Sequence, residues 1–152
     1  MAGKRREGRI LAAQFLYQWE VGAKGVALDE ALKNLWEQTE AEGGVREFAE
    51  KRIRAVIGKQ AEVDAELKKL VTNWDPRRMA PVDRAILRLA LWEMKFADDV
   101  PPISSLNEAI EVAKVLSTEE SGKFVNGVLD KARQGLDRPE RTAEKLAPRD
   151  DS

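Results

Sequence analysis

Lys4, Arg5, Arg6 and Arg9 place four cations within six positions, against Glu7 alone. Positive charges at a helix start oppose the helix dipole, which favours anions there. Two environments relieve that conflict: solvent around a frayed end, or a phosphate backbone from which cations displace condensed counterions. A second cluster is Ser121-Gly122-Lys123-Phe124-Val125-Asn126-Gly127. A P-loop carries a further glycine, separated from its Gly-Lys pair by four residues, and Ser117 stands at that position. The nucleotide reading fails. On a helix, Lys123 and Asn126 share a face beside Phe124. Cation, amide and ring in one patch suit single-stranded RNA, where bases stack on rings and amides read their edges. Taken singly, an aromatic at helical spacing more often fills a core. Glu108, Glu111, Glu119 and Glu120 invite acid–base chemistry, but a solvated helix face with capping accounts for them. Trp74, in a link punctuated by Pro76 and Pro81, is either a stacking platform or a plug between two helical halves.

Composition narrows the chemistry further. The 152 residues contain no cysteine and no histidine. That excludes a disulfide framework, thiolate or imidazole metal ligands, a cysteine nucleophile, a Ser-His-Asp triad and a histidine base. No cofactor is expected. Hydrophobic residues make up 43% and charged residues 35%, a globular profile with a core. The net charge of -1 makes any nucleic-acid surface a local one. The longest apolar block, residues 85 to 92, is cut by Arg88 and is far shorter than the roughly 18 residues of a membrane span. The N-terminal cations precede Ile10-Leu11-Ala12-Ala13, yet Gln14, Gln18 and Glu20 interrupt any signal-peptide core. A cytoplasmic protein is expected.

Helical periodicity runs throughout and no alternating strand pattern appears. The spacing predicts a first helix from about Arg5 to Val21, ended by Gly22 and Gly25. Stripes at Leu28, Leu32, Leu35 and Trp36, then Val45 to Ile57, then Val63 to Val71 give three more. From Val82 the chain reads VDRAILRLALWEMKF, apolar nearly all round, which marks a buried central helix with Pro81 as its first residue. Ser105 followed by Glu108 reads as a capping box for a sixth helix. A seventh starts near Thr118 and aligns Phe124, Val128 and Ala132. Residues 135–152 form a charged tail too poor in apolar residues to pack, so disorder is expected there. The expectation is all-α: about seven helices in two packed small bundles, residues 1–134 forming one domain with a basic arm at 1–9.

VDRAILRLALWE, VPPISSLNEAIEVAK and SGKFVNGVLDK together resemble the NusB family of transcription termination and antitermination factors. RREGRILAAQFLYQWE is similar to that family's opening arginine-rich helix. The resemblance implies two packed helical bundles and no enzymatic activity. It also implies pairing with NusE, a small-subunit ribosomal protein, and binding to boxA of nascent ribosomal RNA transcripts. The complex would join the RNA polymerase antitermination machinery. Carried over by position, RNA contacts fall on Arg5, Arg6, Arg9, Tyr17, Arg78, Lys123, Phe124 and Asn126. Asp83 becomes the implied NusE contact, and Glu120 an indirect influence on RNA affinity. The family includes monomers and homodimers, and both stay open. Glu7 and Gly8 depart from the pattern by diluting the arm, since glycine weakens a helix interior by about 1 kcal/mol.

Two rival readings compete with this one. A NusB-like domain fused to an RNA methyltransferase would need a glycine-rich methyl-donor motif, which these residues lack. A small helical enzyme of the chorismate-mutase type would need cations and acids converging on a buried pocket, whereas here the cations cluster at the start and at helix ends.

Overall fold

The computed structural model describes residues 2–22, 25–71 and 79–136, and these form seven α-helices with no strand among them. They are α1 (Ala2–Val21), α2 (Leu28–Gln38), α3 (Gly43–Gly58), α4 (Gln60–Leu70), α5 (Pro81–Phe96), α6 (Pro102–Leu116) and α7 (Glu119–Gln134). Trp74, Pro76, Arg78 and the tail from residue 137 lie outside the described residues.

The all-helical expectation holds. α5 is the axis: Ala85, Ile86, Leu87, Leu89, Ala90, Leu91 and Met94 are all buried. Around it pack α1, α3, α4, α6 and α7, with α1 also against α3 and α6, and α6 against α7. The expected two bundles share α5 and one continuous core. Pro81 opens α5, and Pro102 opens α6. A proline there gives up only an N–H that would lack a helical partner anyway.

Several boundaries differ from the sequence reading. α1 begins three residues earlier than expected, so the whole basic arm is helical. α2 already ends at Gln38, and Gly43 and Gly44 open α3, two residues ahead of the stripe that starts at Val45. Ser105 is no cap, because α6 already begins at Pro102 and buries Ser105 in its second turn. Thr118 is a true cap: its hydroxyl oxygen accepts from the Ser121 backbone N–H at 3.1 Å. In α7 the buried stripe is Val125, Val128, Leu129 and Ala132, which leaves Phe124 off it. Gly8 has a packing reason. A Cβ there would stand 2.6 Å from Phe48 Cδ2, so the absent side chain lets the α3 ring lie against α1.

Candidate nucleic-acid interface

The arm of α1 is not a bare cationic end. Lys4 pairs with Glu42 at 3.1 Å, and Arg5 with Asp99 at 3.4 Å. Arg6 donates from Nε and Nη2 to the two carboxylate oxygens of Glu108 on α6, each at 3.0 Å. Glu111 lies 3.9 Å from the same guanidinium. Arg9 turns inward, and its Nε reaches Glu93 of α5 at 2.9 Å. Neither of the two expected environments, solvent or phosphate, is the one seen in the free chain: carboxylates of the same chain neutralise the arm.

Burial grades these pairs. Arg5 and Asp99 are both about half exposed, with side-chain exposures of 47% and 54%. Arg6 and Glu108 are intermediate, at 40% and 17%. Arg9 and Glu93 are closed off, at 6% and 1%. Arg52 of α3 also donates to Glu93, at 2.9 Å, so one buried carboxylate holds two guanidiniums. The Phe48 ring lies among three of them, Arg52 at 4.7 Å, Arg9 at 5.4 Å and Arg5 at 5.5 Å from its centroid. Cations favour the negative face of a ring, more so where water is excluded. Hydrogen bonding by Arg6 is the main reason the Glu108 carboxyl is held below the usual carboxylate range, against the upward push of its partial burial.

The expectation for Arg9 changes accordingly. Its guanidinium is committed to Glu93 and has no free face for a phosphate, so its place is in the joint between α1, α3 and α5. Arg5 and Arg6 remain at the surface. Tyr17, eleven residues beyond Arg6, falls on nearly the same side of α1, about 16 Å along the axis at 1.5 Å per residue. Its ring is 38% exposed.

The second cluster sits at the start of α7. Lys123, Asn126 and Gly127 are exposed, and the Phe124 ring is 38% exposed. Glu120 lies in the first turn of α7 and pairs with Lys123 at 3.6 Å, both side chains largely in solvent. α6 packs on both α1 and α7 and so links the two clusters. Sequence reasoning misses Glu108 as the partner of Arg6; the only local signal is a glutamate in a helix whose capping role turns out to be vacant.

Asp83 also changes place. It is 6% exposed, and its carboxylate accepts from Ser121 Oγ at 3.1 Å and Ser117 Oγ at 3.5 Å. Burial puts it at the joint between α5 and the α6–α7 turn, not on a surface that a partner could touch directly. Burial is also the main cause that pushes its carboxyl above the ordinary range, against the two hydroxyl bonds. Among the described residues no cation pairs with it. In the unfolded chain Asp83 ionises at its usual pH while the folded chain resists, so stability falls as pH rises through that interval. Above it, the cost of the buried charge is fully present. Asp83→Asn keeps the shape and can still hydrogen-bond the hydroxyls. It should raise stability near neutral pH by about 1 kcal/mol, roughly 3 °C in Tm for a chain this size. Melts at neutral and acidic pH check this: the gain should vanish once the unfolded carboxyl is protonated. An Asn variant that melts lower than the parent at neutral pH would sink the argument.

No helix among the described residues is long and apolar enough to cross a membrane, and no group of acids there could hold a metal ion.

Comparison with known proteins fits this architecture. The family model described as "NusB family" matches residues 6–134. The transcription antitermination protein NusB of an Anaeromyxobacter species is 45% identical over 142 residues, covering 93% of this chain and 96% of that protein. The NusB of Methylacidiphilum infernorum is 43% identical over 126 residues, covering 83% of this chain and 87% of that protein. Among solved structures, T. maritima NusB superposes with a TM-score of 0.77 at 31% identity, covering 94% of this chain and 97% of that one. A chain in the crystal structure of antitermination factors NusB and NusE in complex with dsRNA also gives 0.77, at 26% identity over 90% of this chain and all of that one. The family model spans residues 6–134, and relatives 43–45% identical cover most of both chains, so the chain belongs to the NusB family.

Proposed function

We propose that this chain is a transcription antitermination factor that binds RNA together with NusE, the small-subunit ribosomal protein, and acts by binding rather than by catalysis. The observation that carries the reading is the match, over 90% of this chain and all of the other, to a chain from the structure of NusB and NusE with dsRNA. Within it we assign RNA contacts to Arg5, Arg6 and Tyr17 on α1 and to Lys123, Phe124 and Asn126 on α7. These residues are surface cations, rings and an amide, the groups that hold single strands. Arg78, just before α5, is assigned with them on the family resemblance alone. Asp83 and Glu120 act on binding indirectly, through the start of α7. The preferred RNA is the boxA element of ribosomal RNA transcripts, and the site of action is the cytoplasm.

The test is an RNA titration with and without NusE, using boxA and a scrambled RNA of equal length. NusE should tighten boxA binding more than scrambled binding. Arg5→Ala/Arg6→Ala should weaken both RNAs and flatten the salt dependence. Removing one phosphate-binding cation lowers the log-log slope by up to about 0.7 on a single strand. A chain that ignores NusE and binds both RNAs equally would refute the reading, and an unchanged slope would remove the arm from the interface.

A further inference from the structure

We propose that Glu108 is an internal competitor for RNA: its carboxylate occupies the phosphate-binding fork of Arg6 in the free chain and must be displaced when RNA binds. The inference rests on the antitermination reading and extends it to what sets RNA affinity.

The geometry is that of a substitute ligand. A guanidinium binds carboxylate and phosphate through the same pair of parallel N–H donors. Here Nε and Nη2 of Arg6 are both spent on Glu108, each at 3.0 Å. Glu111 stands behind it at 3.9 Å from Nη1, and Glu108 is also 3.9 Å from Arg9 Nη1. A phosphate approaching the Nε/Nη2 edge of Arg6 therefore has to displace the Glu108 carboxylate, and Glu111 adds a second negative charge beside Nη1.

Position decides that the pair exchanges. The Arg9–Glu93 pair is sealed, and opening it would strand a charge in the core. Arg5 reaches Asp99 at 3.4 Å in solvent, and such a pair holds almost nothing back. The Arg6–Glu108 pair lies between these limits: bidentate and well aligned, yet with 40% of the arginine side chain exposed. It is strong enough to compete and open enough to yield. The arm is thus graded along α1, with Arg5 open, Arg6 gated and Arg9 locked.

Displacement also alters salt dependence. When phosphate replaces Glu108, the freed carboxylate gathers a counterion, which offsets part of the release from RNA. Glu108→Gln removes that offset and keeps the side chain's size.

The experiment is a boxA RNA titration of the parent, Glu108→Gln, Arg6→Ala and the double variant, each at several salt concentrations. Glu108→Gln should bind about threefold to tenfold more tightly and steepen the salt slope by up to about 0.7, the equivalent of one more phosphate neutralised on a single strand. The double variant should bind no better than Arg6→Ala, because the gain runs through that fork. Glu111→Gln, farther from the guanidinium, should gain less. Unchanged or weaker binding by Glu108→Gln overturns the proposal and makes Glu108 a support for Arg6. So does a gain that survives in the double variant, which would reflect the general field. On the parent chain, the NMR signal of the Arg6 Nε–H should shift when boxA RNA is added, and a signal that stays in place overturns the exchange without any variant. If the parent binds no RNA at all, it is the antitermination reading that fails; a parent that binds while Glu108→Gln gains nothing refutes this inference alone.

Discussion

Glu93→Ala should be among the most destabilising single changes in the chain, at about 3–5 kcal/mol. One carboxylate, 1% exposed, receives Nε of Arg9 at 2.9 Å and Nε of Arg52 at 2.9 Å, and joins α1, α3 and α5. Removing it leaves two nearly buried guanidiniums without their hydrogen-bonded counter-charge, with only Glu108, 3.9 Å from Arg9 Nη1, still close by. Arg52 is already short of acceptors, because its Nη2 is buried with no hydrogen-bond partner among the described residues. Opening a path for water would mean separating the start of α1 from α3, with loss of the Phe48 packing. A domain of this kind has only about 5–15 kcal/mol of net stability, so roughly a fifth or more of it is at stake. In a melt this is roughly 10 °C or more for about 150 residues. The loss belongs to breaking the cluster and does not measure what the intact cluster contributes. Replacing all three groups together, as Arg9→Met, Arg52→Met and Glu93→Leu, should recover much of the loss, since a well-packed apolar substitute is often no worse than a buried ion cluster. A Glu93→Ala chain melting within about 2 °C of the parent would show that the pair is solvated after all.

The same residue shows where the sequence is legible. A helix apolar nearly all round must be central, and α5 is. A lone glutamate in such a helix needs a cation, which is a local inference. Which cation supplies it is not local: Arg9 is 84 positions away and Arg52 is 41. The basic arm is opaque for the same reason. Charge counted along the chain gives four cations against one acid, but Asp99, Glu108 and Glu93 arrive from 94, 102 and 84 residues away and neutralise it. Gly8 reads as a weakness in α1 until the Phe48 ring that packs there is in view. Asp83, in the first turn of α5, reads as a residue favoured by the helix dipole. The hydroxyls of Ser117 and Ser121, which bond to it, come from the α6–α7 turn and the first turn of α7. Helix number, order and the identity of the central helix follow from local periodicity. Counter-ions and close approaches follow from tertiary packing, and local spacing says nothing about them.

Phe124→Ala should separate binding from folding. The buried stripe of α7 is Val125, Val128, Leu129 and Ala132, and the Phe124 ring lies off it, 38% exposed. A phenylalanine at the centre of a core costs about 3–5 kcal/mol on truncation, because a cavity remains. Here no closed cavity forms, and the loss is the partial burial of one ring, about 1–2 kcal/mol on an area basis. RNA affinity should suffer more. A ring stacked on a base contributes about 1–3 kcal/mol, a weakening of roughly fivefold to 150-fold. Phe124→Tyr should restore most of it, since the stacking face is kept. Lys123→Ala and Asn126→Ala serve as controls, because both side chains are exposed and neither change can open the core. Lys123→Ala should weaken binding to all RNAs and lower the salt slope. Asn126→Ala should act on base preference and leave the slope alone. The decisive measurement is a thermal melt and a boxA titration on the same four proteins. If Phe124→Ala melts like a core variant while Lys123→Ala and Asn126→Ala bind RNA as the parent does, the patch on α7 is structural and the RNA follows another path across the molecule.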